Sequence, residues 1–509
     1  MRKLNVQIID LITKAPDSSL YARLMNANLA SIMPQVIAIW CEQEGHHVKL
    51  IPYTGIERLE IEASDEVDIV FISAFTQAAL KAYALSNKFQ ASGAVTVLGG
   101  PHARCYPEDS QKYFDYVLGF TNKELIKDVL KNCSPHRPIG QYLSTALQPV
   151  ELPGVRERWK YIELLLRKAP WLKIVPMIGS MGCPYSCNFC VDSTVPYSPM
   201  DSEAIKEDLR FLLTKYKRPI VAWHDPNFGI RFNETMSTIE EAIPPDSIDF
   251  IAESSLSLLS EEHVIRLRKN GFKAALPGIE SWFEMGNKSR TGNKQGIEKV
   301  EQVAAHVNMI MRHLPYMQTN FVFGLDSDEG NHPFEMTKKF IDKSPGAFPS
   351  YALLTAFGKG APLNLEYQQA ERVLPVPFPF LNNFEAMNVK PRNYSWPQFY
   401  DHLIGLLGYS FSMRANYRRF RANKMAIPKW MNLMRAISSE GHGRWKYHRG
   451  IRRRLDEDRP FRDYMEGETE VLPKFYMDKI VKELGEDWHW LPQGAIYHDQ
   501  NAALNSKQK

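Results

Sequence analysis

The chain has 509 residues, 44% of them apolar and 24% charged, close to the soluble globular average and long enough for two to four domains. That excludes a collagen, a disordered tail protein and a small disulfide scaffold, and no uninterrupted apolar run approaches the ~20 residues that span a bilayer. Net charge is +4, too small to imply a nucleic-acid partner, so the first expectation is a soluble, cytoplasmic, multi-domain protein.

In chain order, residues 1–132 alternate strands and helices. The opening run, interrupted by Asn5, Gln7 and Asp10, reads as a buried strand over 4–11 rather than a signal peptide. A helix follows over 25–44 and stops at Gly45; a second strand covers 48–52. The continuous apolar run 67–73 suits a parallel strand buried on both faces. Then come a helix over 77–89, a strand over 95–98 that ends in Gly99-Gly100-Pro101-His102, a strand over 116–118 and a helix over 123–132. Such alternation predicts an open, doubly wound, Rossmann-like domain over 1–135. Residues 136–171 hold prolines and no clean period and read as a linker.

From residue 172 the alternation restarts. Strands over 172–178, 220–224, 249–253, 274–279, 317–325 and 351–356 are separated by helices, one of which has Ser260 at its N-terminus. Five to six βα units in about 200 residues suit a partial or full TIM-like βα barrel over 172–370, with reactive groups just after strand ends. Residues 371–509 read as a mainly helical region, rich in aromatic and basic residues after a stretch broken by Pro375, Pro377, Pro379, Pro391 and Pro397.

Six cysteines in this length are too few for a disulfide framework. Cys41, Cys105 and Cys133 are scattered and read as small buried thiols. The other three crowd into Cys183-Pro-Tyr-Ser-Cys187-Asn-Phe-Cys190. Three soft thiolates on one loop can hold zinc or an iron–sulfur cluster. Structural zinc takes four protein ligands, usually as two separated pairs, and no second Cys or His pair stands at such spacing. Three thiolates without a fourth fit a [4Fe-4S] cluster with one open iron, and Gly182 and Pro184 let the loop curl around it.

The run Gly182-Cys183-x-x-x-Cys187-x-Phe189-Cys190 resembles the signature of the radical S-adenosylmethionine (SAM) superfamily, Phe189 being the aromatic residue before the third cysteine. The resemblance implies that Cys183, Cys187 and Cys190 hold the cluster and that SAM chelates the open iron, where one electron from a donor such as flavodoxin or ferredoxin cleaves it to methionine and a deoxyadenosyl radical. Residues 1–132 resemble the cobalamin-binding-type domain that precedes the barrel in one class of that superfamily. Gly45-His46-His47-Val48, Ser73 with Thr76, and Val97-Leu98-Gly99-Gly100-Pro101-His102 carry that likeness. It implies cobalamin contacts at Ser73, Thr76, Gly99, Gly100, Pro101 and His102. Trp223-His224-Asp225-Pro226-Asn227-Phe228, Gly278-Ile279-Glu280-Ser281 and Asn320-Phe321-Val322-Phe323-Gly324-Leu325 are similar to barrel motifs of that class. With Phe189, the residues expected to contact SAM are Asp225, Glu253, Glu280, Ser281 and Asn320. Two features depart from the class: there is no Asp-x-His-x-x-Gly, and Gly119-Phe120-Thr121-Asn122-Lys123-Glu124 replaces the usual Gly-Glu-Gly-Glu turn. The first domain therefore reads either as a cobalamin site or as a remnant that has lost it.

The expected activity is cobalamin-dependent methylation of an unactivated carbon in a small-molecule or lipid-like substrate. A cyclase or rearrangement enzyme without methyl transfer, and a non-catalytic iron–sulfur sensor, are the alternatives. From Arg414 to Arg454 thirteen Lys/Arg face one acid, Glu440. A solvated helical surface is the plain reading; interleaved Trp430, Leu433, Met434, Ile437, Trp445 and Tyr447 also suit an anionic substrate or a peripheral membrane contact, hence a membrane-associated location.

Overall fold

A computed structural model describes residues 2–17, 20–57, 59, 66–133, 139–169 and 172–500. The chain divides into two compact units, one of residues 1–212, 356–382 and 474–509, the other of 213–355 and 383–473.

The first unit is built on a parallel sheet of β1 (Asn5–Leu11), β2 (His47–Tyr53), β3 (Ile69–Ala74), β4 (Val95–Gly99), β5 (Tyr116–Leu118) and β6 (Gln141–Leu143), in the order β2-β1-β3-β4-β5-β6. β1 and β3 are buried along nearly their whole length, as central strands covered on both faces must be. Register lines up Asp10, Ser73 and Gly99 across the carboxyl edge: Asp10 is opposite Ser73, and Ser73 opposite Gly99. In this strand order the β1–β3 neighbourhood is the switch point, where open α/β sheets bind ligands.

The expected first helix is shorter than its periodicity suggests. It runs from Ile32 to Gln43, preceded by a short helix Leu20–Met25 and a 3₁₀ turn Asn26–Leu29. The break falls at Ser31, which is extended and whose N–H donates to Asp10 Oδ2 at 2.9 Å. The segment read as a linker carries structure on both sides of its proline-rich middle. β6 extends the sheet, and a helix covers Val155–Lys168. Its buried stripe is Val155, Arg158, Tyr161, Ile162, Leu165 and Leu166, a helical period disguised because Arg158 occupies an apolar position. Arg158 is satisfied there by the Pro153 carbonyl and by Gln35 Oε1, each at 2.9 Å. The expected boundaries at 135–136 and 171 lie outside the described residues. β7 (Ile174–Met177) follows, and a two-stranded antiparallel ladder of β8 (Ser180–Met181) and β9 (Ser198–Pro199) completes the strands of this unit.

The second unit holds β10 (Ile220–Trp223), β11 (Asp249–Ala252), β12 (Phe272–Ala275), β13 (Gly278–Glu280), β14 (Tyr316–Phe323) and β15 (Phe348–Leu353). They pair in parallel as β10-β11-β12-β14-β15, with β13 on the same side of β14 as β12. Among the described residues no ladder joins β10 to β15, so the observed pairing is that of an open parallel sheet. Burial alternates along β14: Met317, Thr319, Phe321 and Phe323 are buried, while Tyr316, Gln318, Asn320 and Val322 form a more open face. Ser260 caps its helix as expected, accepting from the His263 N–H at 3.2 Å. The unit ends in a helical region, where Trp396–Ser410 packs on Arg444–Glu457 through Tyr400 and His448. The parallel α/β architecture with a helical C-terminal region agrees with the expected class.

Candidate functional site: a cysteine loop beside a sheet edge

The cysteine loop leaves β8 and returns through β9, so a short ladder clasps its base; Ser180 is opposite Pro199 and Met181 opposite Ser198. Gly182 opens the loop with φ +68°, and a Cβ there would overlap the carbonyl oxygens of Val195 and Pro196. Inside, the Cys190 N–H donates to the Cys187 carbonyl at 3.0 Å, and Ser193 Oγ donates to the Cys190 carbonyl at 2.7 Å. The Asp192 N–H points at Cys190 Sγ, 3.4 Å away. All three thiols are half-buried and none is in a disulfide. Gly182→Ala should therefore unclasp the loop. We expect it to cut reconstituted iron at least severalfold, read by iron assay, with little change in the far-ultraviolet circular dichroism.

Among the described residues, no three His, Cys, Asp or Glu side chains converge as the ligands of a single metal ion would. A four-iron cluster asks for a different arrangement, because each thiolate holds a different iron. One loop, three half-buried thiols and a backbone N–H directed at one sulfur fit that group; such N–H groups stabilise cluster thiolates and tune their potential.

The segment after Cys190 meets the sheet edge of the same unit. A cavity of about 310 Å³ is lined by Arg104, Glu108, Phe120, Ser144, Val191 and Lys359, among others. Phe120 follows β5, Ser144 follows β6, and Val191 follows Cys190 directly. The strap 356–382 ties the parts together: the Leu363 N–H donates to the Asn188 carbonyl at 2.9 Å, and the Lys359 N–H to the Cys105 carbonyl at 2.8 Å. Side chains on Gly358 or Gly360 would strike Cys105. The cavity's two cations are matched by carboxylates, Arg104 by Asp192 at 3.7 Å and Lys359 by Glu108. Burial raises the Asp192 pKa and lowers that of Lys359. Sequence reasoning missed this set; its one visible signal was the Gly358-Lys359-Gly360 run.

At the sheet edge, Ser73, the next-to-last residue of β3, is half-buried and Thr76 is buried. Gly100, at φ +91°, brings its loop onto the one after β3, since a Cβ would sit 2.9 Å from the Ala74 carbonyl oxygen. A Cβ on Gly99 would meet nothing within 4 Å, so its backbone can be approached closely. Pro101 begins a short helix, and His102 lies entirely within the core. The Tyr83 hydroxyl donates to Asp109 Oδ2 at 2.8 Å, so the 2.7 Å contact at His102 Nε2 is a donation from the ring. His102 Nδ1 has no hydrogen-bond partner, Phe378 and Tyr106 enclose the ring, and burial holds its pKa down at about 3. Asp10, level with Ser73, is a residue the sequence reading passed over: it is buried, accepts from Ser31, and its pKa is pushed up to about 7 by desolvation.

In the second unit, polar groups gather at strand ends. Asp225 is buried two residues beyond β10, and Glu253 directly follows β11. Asn227 is cross-braced to Ser255: its amide donates to Ser255 Oγ at 2.8 Å, and its Oδ1 accepts from the Ser255 N–H at 2.8 Å. Glu280 is left-handed at φ +65°, a conformation that costs a non-glycine residue roughly 1 kcal/mol or more. It is held by Lys288, 2.6 Å from Oε1, while buried Lys299 donates to the carbonyls of Ser281 (2.6 Å) and Glu284. Burial lowers the Lys299 pKa to about 8. Asn320, on the open face of β14, donates to the Leu276 and Pro277 carbonyls at 3.3 and 3.4 Å and accepts from Gln318.

No family model matches the chain. Over 338 residues it is 21% identical to the bacteriochlorophyllide d C-12(1)-methyltransferase of Chlorobaculum tepidum, covering 65% of this chain and 68% of the relative. Its structure resembles that of TsrM from Kitasatospora setae, a radical S-adenosylmethionine methyltransferase solved with cobalamin and a [4Fe-4S] cluster, at TM-score 0.53 and 15% identity, covering 73% of this chain and 79% of that one. It also resembles OxsB, a cobalamin-dependent S-adenosylmethionine radical enzyme, at TM-score 0.53 and 12% identity, over 99% of this chain and 82% of that one. The chain has the fold of the cobalamin-dependent radical SAM enzymes. In that fold the cysteine loop and the carboxyl edge of the first sheet share one unit here, with the cavity at Val191 and Phe120 where they meet.

Proposed function

We propose that this protein is a radical SAM enzyme that methylates an unactivated carbon of a small-molecule substrate with the help of cobalamin. One observation carries the reading: three thiols sit on a glycine-clasped loop whose continuation, at Val191 and Thr194, lines a cavity together with the segments that follow β4, β5 and β6 of the parallel sheet. The names of the similar proteins support it, since each is a methyltransferase or a cobalamin-dependent radical enzyme. Once bound, the cluster supplies the electron that cleaves SAM and cobalamin carries the methyl group.

The chain's own residues bind, orient and exclude water. Cys183, Cys187 and Cys190 hold the cluster, and the Asp192 N–H stabilises the charge on Cys190 Sγ. The open backbone at Gly99, with Ser73 and Thr76 beside it, suits close approach of a large cofactor. His102 has no free path to such a cofactor while Tyr83, Tyr106 and Phe378 enclose it; its part is to stiffen the loop from beneath. Asp225, Glu253, Glu280, Ser281 and Asn320 end or flank parallel strands and offer acceptors and donors for SAM's ribose and methionine groups. Lys299 pins the Ser281 loop and so sets where Glu280 points. The cavity of about 310 Å³ is at the small end of ligand sites and takes one part of a cofactor or substrate. A low-potential electron donor such as flavodoxin or ferredoxin completes the system.

Anaerobic reconstitution with iron, sulfide, SAM and reductant, with and without cobalamin, tests this. We expect deoxyadenosine in both cases and S-adenosylhomocysteine only with cobalamin, together with a corrin spectrum that survives gel filtration. Deoxyadenosine without S-adenosylhomocysteine would point to cyclisation or rearrangement instead. Cluster absorbance with no SAM cleavage at all would leave a sensor.

A further inference from the structure

The basic C-terminal stretch divides in two. In the helix Arg444–Glu457 several charges are matched within the chain: Arg452 pairs with Asp401 and Asp456, Arg453 with Glu457, and Arg444 lies over the Phe384 ring. The preceding helices Met413–Ala422 and Ala426–Ile437 are different. They form a hairpin, joined where Phe420 meets Trp430 edge-on with ring centroids 5.4 Å apart. Between residues 413 and 437 there are seven Lys/Arg and no acid.

The apolar residues of this hairpin are on the wrong side for a core helix. Ile427, Trp430 and Ile437 are 72%, 62% and 66% exposed, and with Met434 they follow the spacing i, i+3, i+7, i+10 of one helical face. Met413 is 91% exposed, and Tyr417, one turn on, is exposed beside it. The exposed cations Arg414, Arg421 and Lys424 have no ion-pair partner among the described residues. The carboxylates nearest the hairpin are already engaged, Asp342 with Arg418 and Glu440 with Arg435. A second copy of this chain docking through the same hairpin would set like charge against like charge, so charge complementarity calls for an anionic partner. A phosphate-rich polymer alone gives no use for an aliphatic stripe. Aliphatic, Trp and Tyr side chains flanked by Lys and Arg are the composition that seats a helix in the headgroup region of a bilayer.

We propose that the hairpin 413–437 is a docking surface for a membrane carrying anionic lipid, and that the protein works as a peripheral membrane enzyme. Among the described residues no single helix is long and apolar enough to cross a membrane. This inference is independent of the radical SAM reading.

Flotation of the full chain with vesicles decides it. The protein should float with vesicles of phosphatidylglycerol and phosphatidylcholine, and stay down with phosphatidylcholine alone or in high salt, where screening removes the attraction. Arg414→Gln with Lys424→Gln should weaken partitioning by roughly thirtyfold, each basic residue near a charged surface being worth about a factor of five. Ile427→Ser with Ile437→Ser should reduce flotation to background with an unchanged melting temperature, since both side chains are exposed and the Phe420–Trp430 contact is kept. Equal flotation with neutral and anionic vesicles, flotation untouched by the Ile427 and Ile437 changes, or no flotation would each overturn the proposal. So would light scattering that shows a dimer dissolved by those same changes, because a second copy would then be the occupant.

Discussion

Cys187→Ala should leave anaerobically reconstituted protein without cluster absorbance and without any deoxyadenosine. Cys187 sits mid-loop, and its carbonyl accepts the Cys190 N–H that turns the chain toward the third thiol. Removing its sulfur leaves two thiolates on a loop shaped for three, which cannot keep a four-iron cluster with only one open iron. On the proposed reading the loss should be complete rather than graded, because the cluster would be the point at which the electron reaches SAM. Circular dichroism and the melting curve should stay near those of the parent, since the thiol is only half-buried and the β8–β9 ladder does not depend on it. Unchanged SAM turnover in this variant would remove Cys187 from the ligand set. Loss of turnover with full iron content would separate a positional role from a ligating one.

Asp10→Asn should stabilise the protein above pH 7 and change little near pH 4. The Asp10 carboxyl is buried at the carboxyl end of β1, and desolvation outweighs its hydrogen bond from Ser31, so its pKa rises from 3.8 to about 7. Between those two values the folded protein holds a proton that the unfolded chain has released. Stability therefore falls as pH rises through this window and levels off above the folded pKa. One carboxyl shifted this far costs up to about 4 kcal/mol at pH 8, at about 1.4 kcal/mol per pH unit. Asparagine keeps an acceptor for the Ser31 N–H and carries no charge. Urea unfolding at pH 5 and pH 8 should show a steep loss for the parent and a shallower one for the variant. Some slope will persist, because burial also raises Asp208 to about 6 and Asp328 to about 7. An identical slope in parent and variant would mean that Asp10 is not the carboxyl responsible.

Much of the site's chemistry is legible in the sequence. Cys183, Cys187 and Cys190 lie within eight consecutive residues, so their proximity is a property of the chain itself. The strand ends that carry Asp225, Glu253 and Glu280 follow from a strand–helix alternation that short windows encode well. The helix Val155–Lys168 was hidden, because buried Arg158 breaks the apolar stripe and only its pairing with Gln35 and Pro153 makes that burial tolerable. His102 was legible as a motif residue, yet its enclosure depends on Tyr83 and Phe378, rings from two other segments, as well as on nearby Tyr106.

The sequence alone determined the thiol triplet, the glycine that clasps it, the two runs of βα alternation and the acid-free basic stretch, because each is a matter of spacing along one backbone. Tertiary structure decided that Asp10, Ser73 and Gly99 stand in a row, that Lys359 and Glu108 meet at a cavity next to Val191, and that Ile427, Trp430 and Ile437 face outward while Arg452 and Arg453 find carboxylates within the chain. Those outcomes rest on strand register and on contacts between residues far apart in the chain, which a local pattern of side chains does not specify.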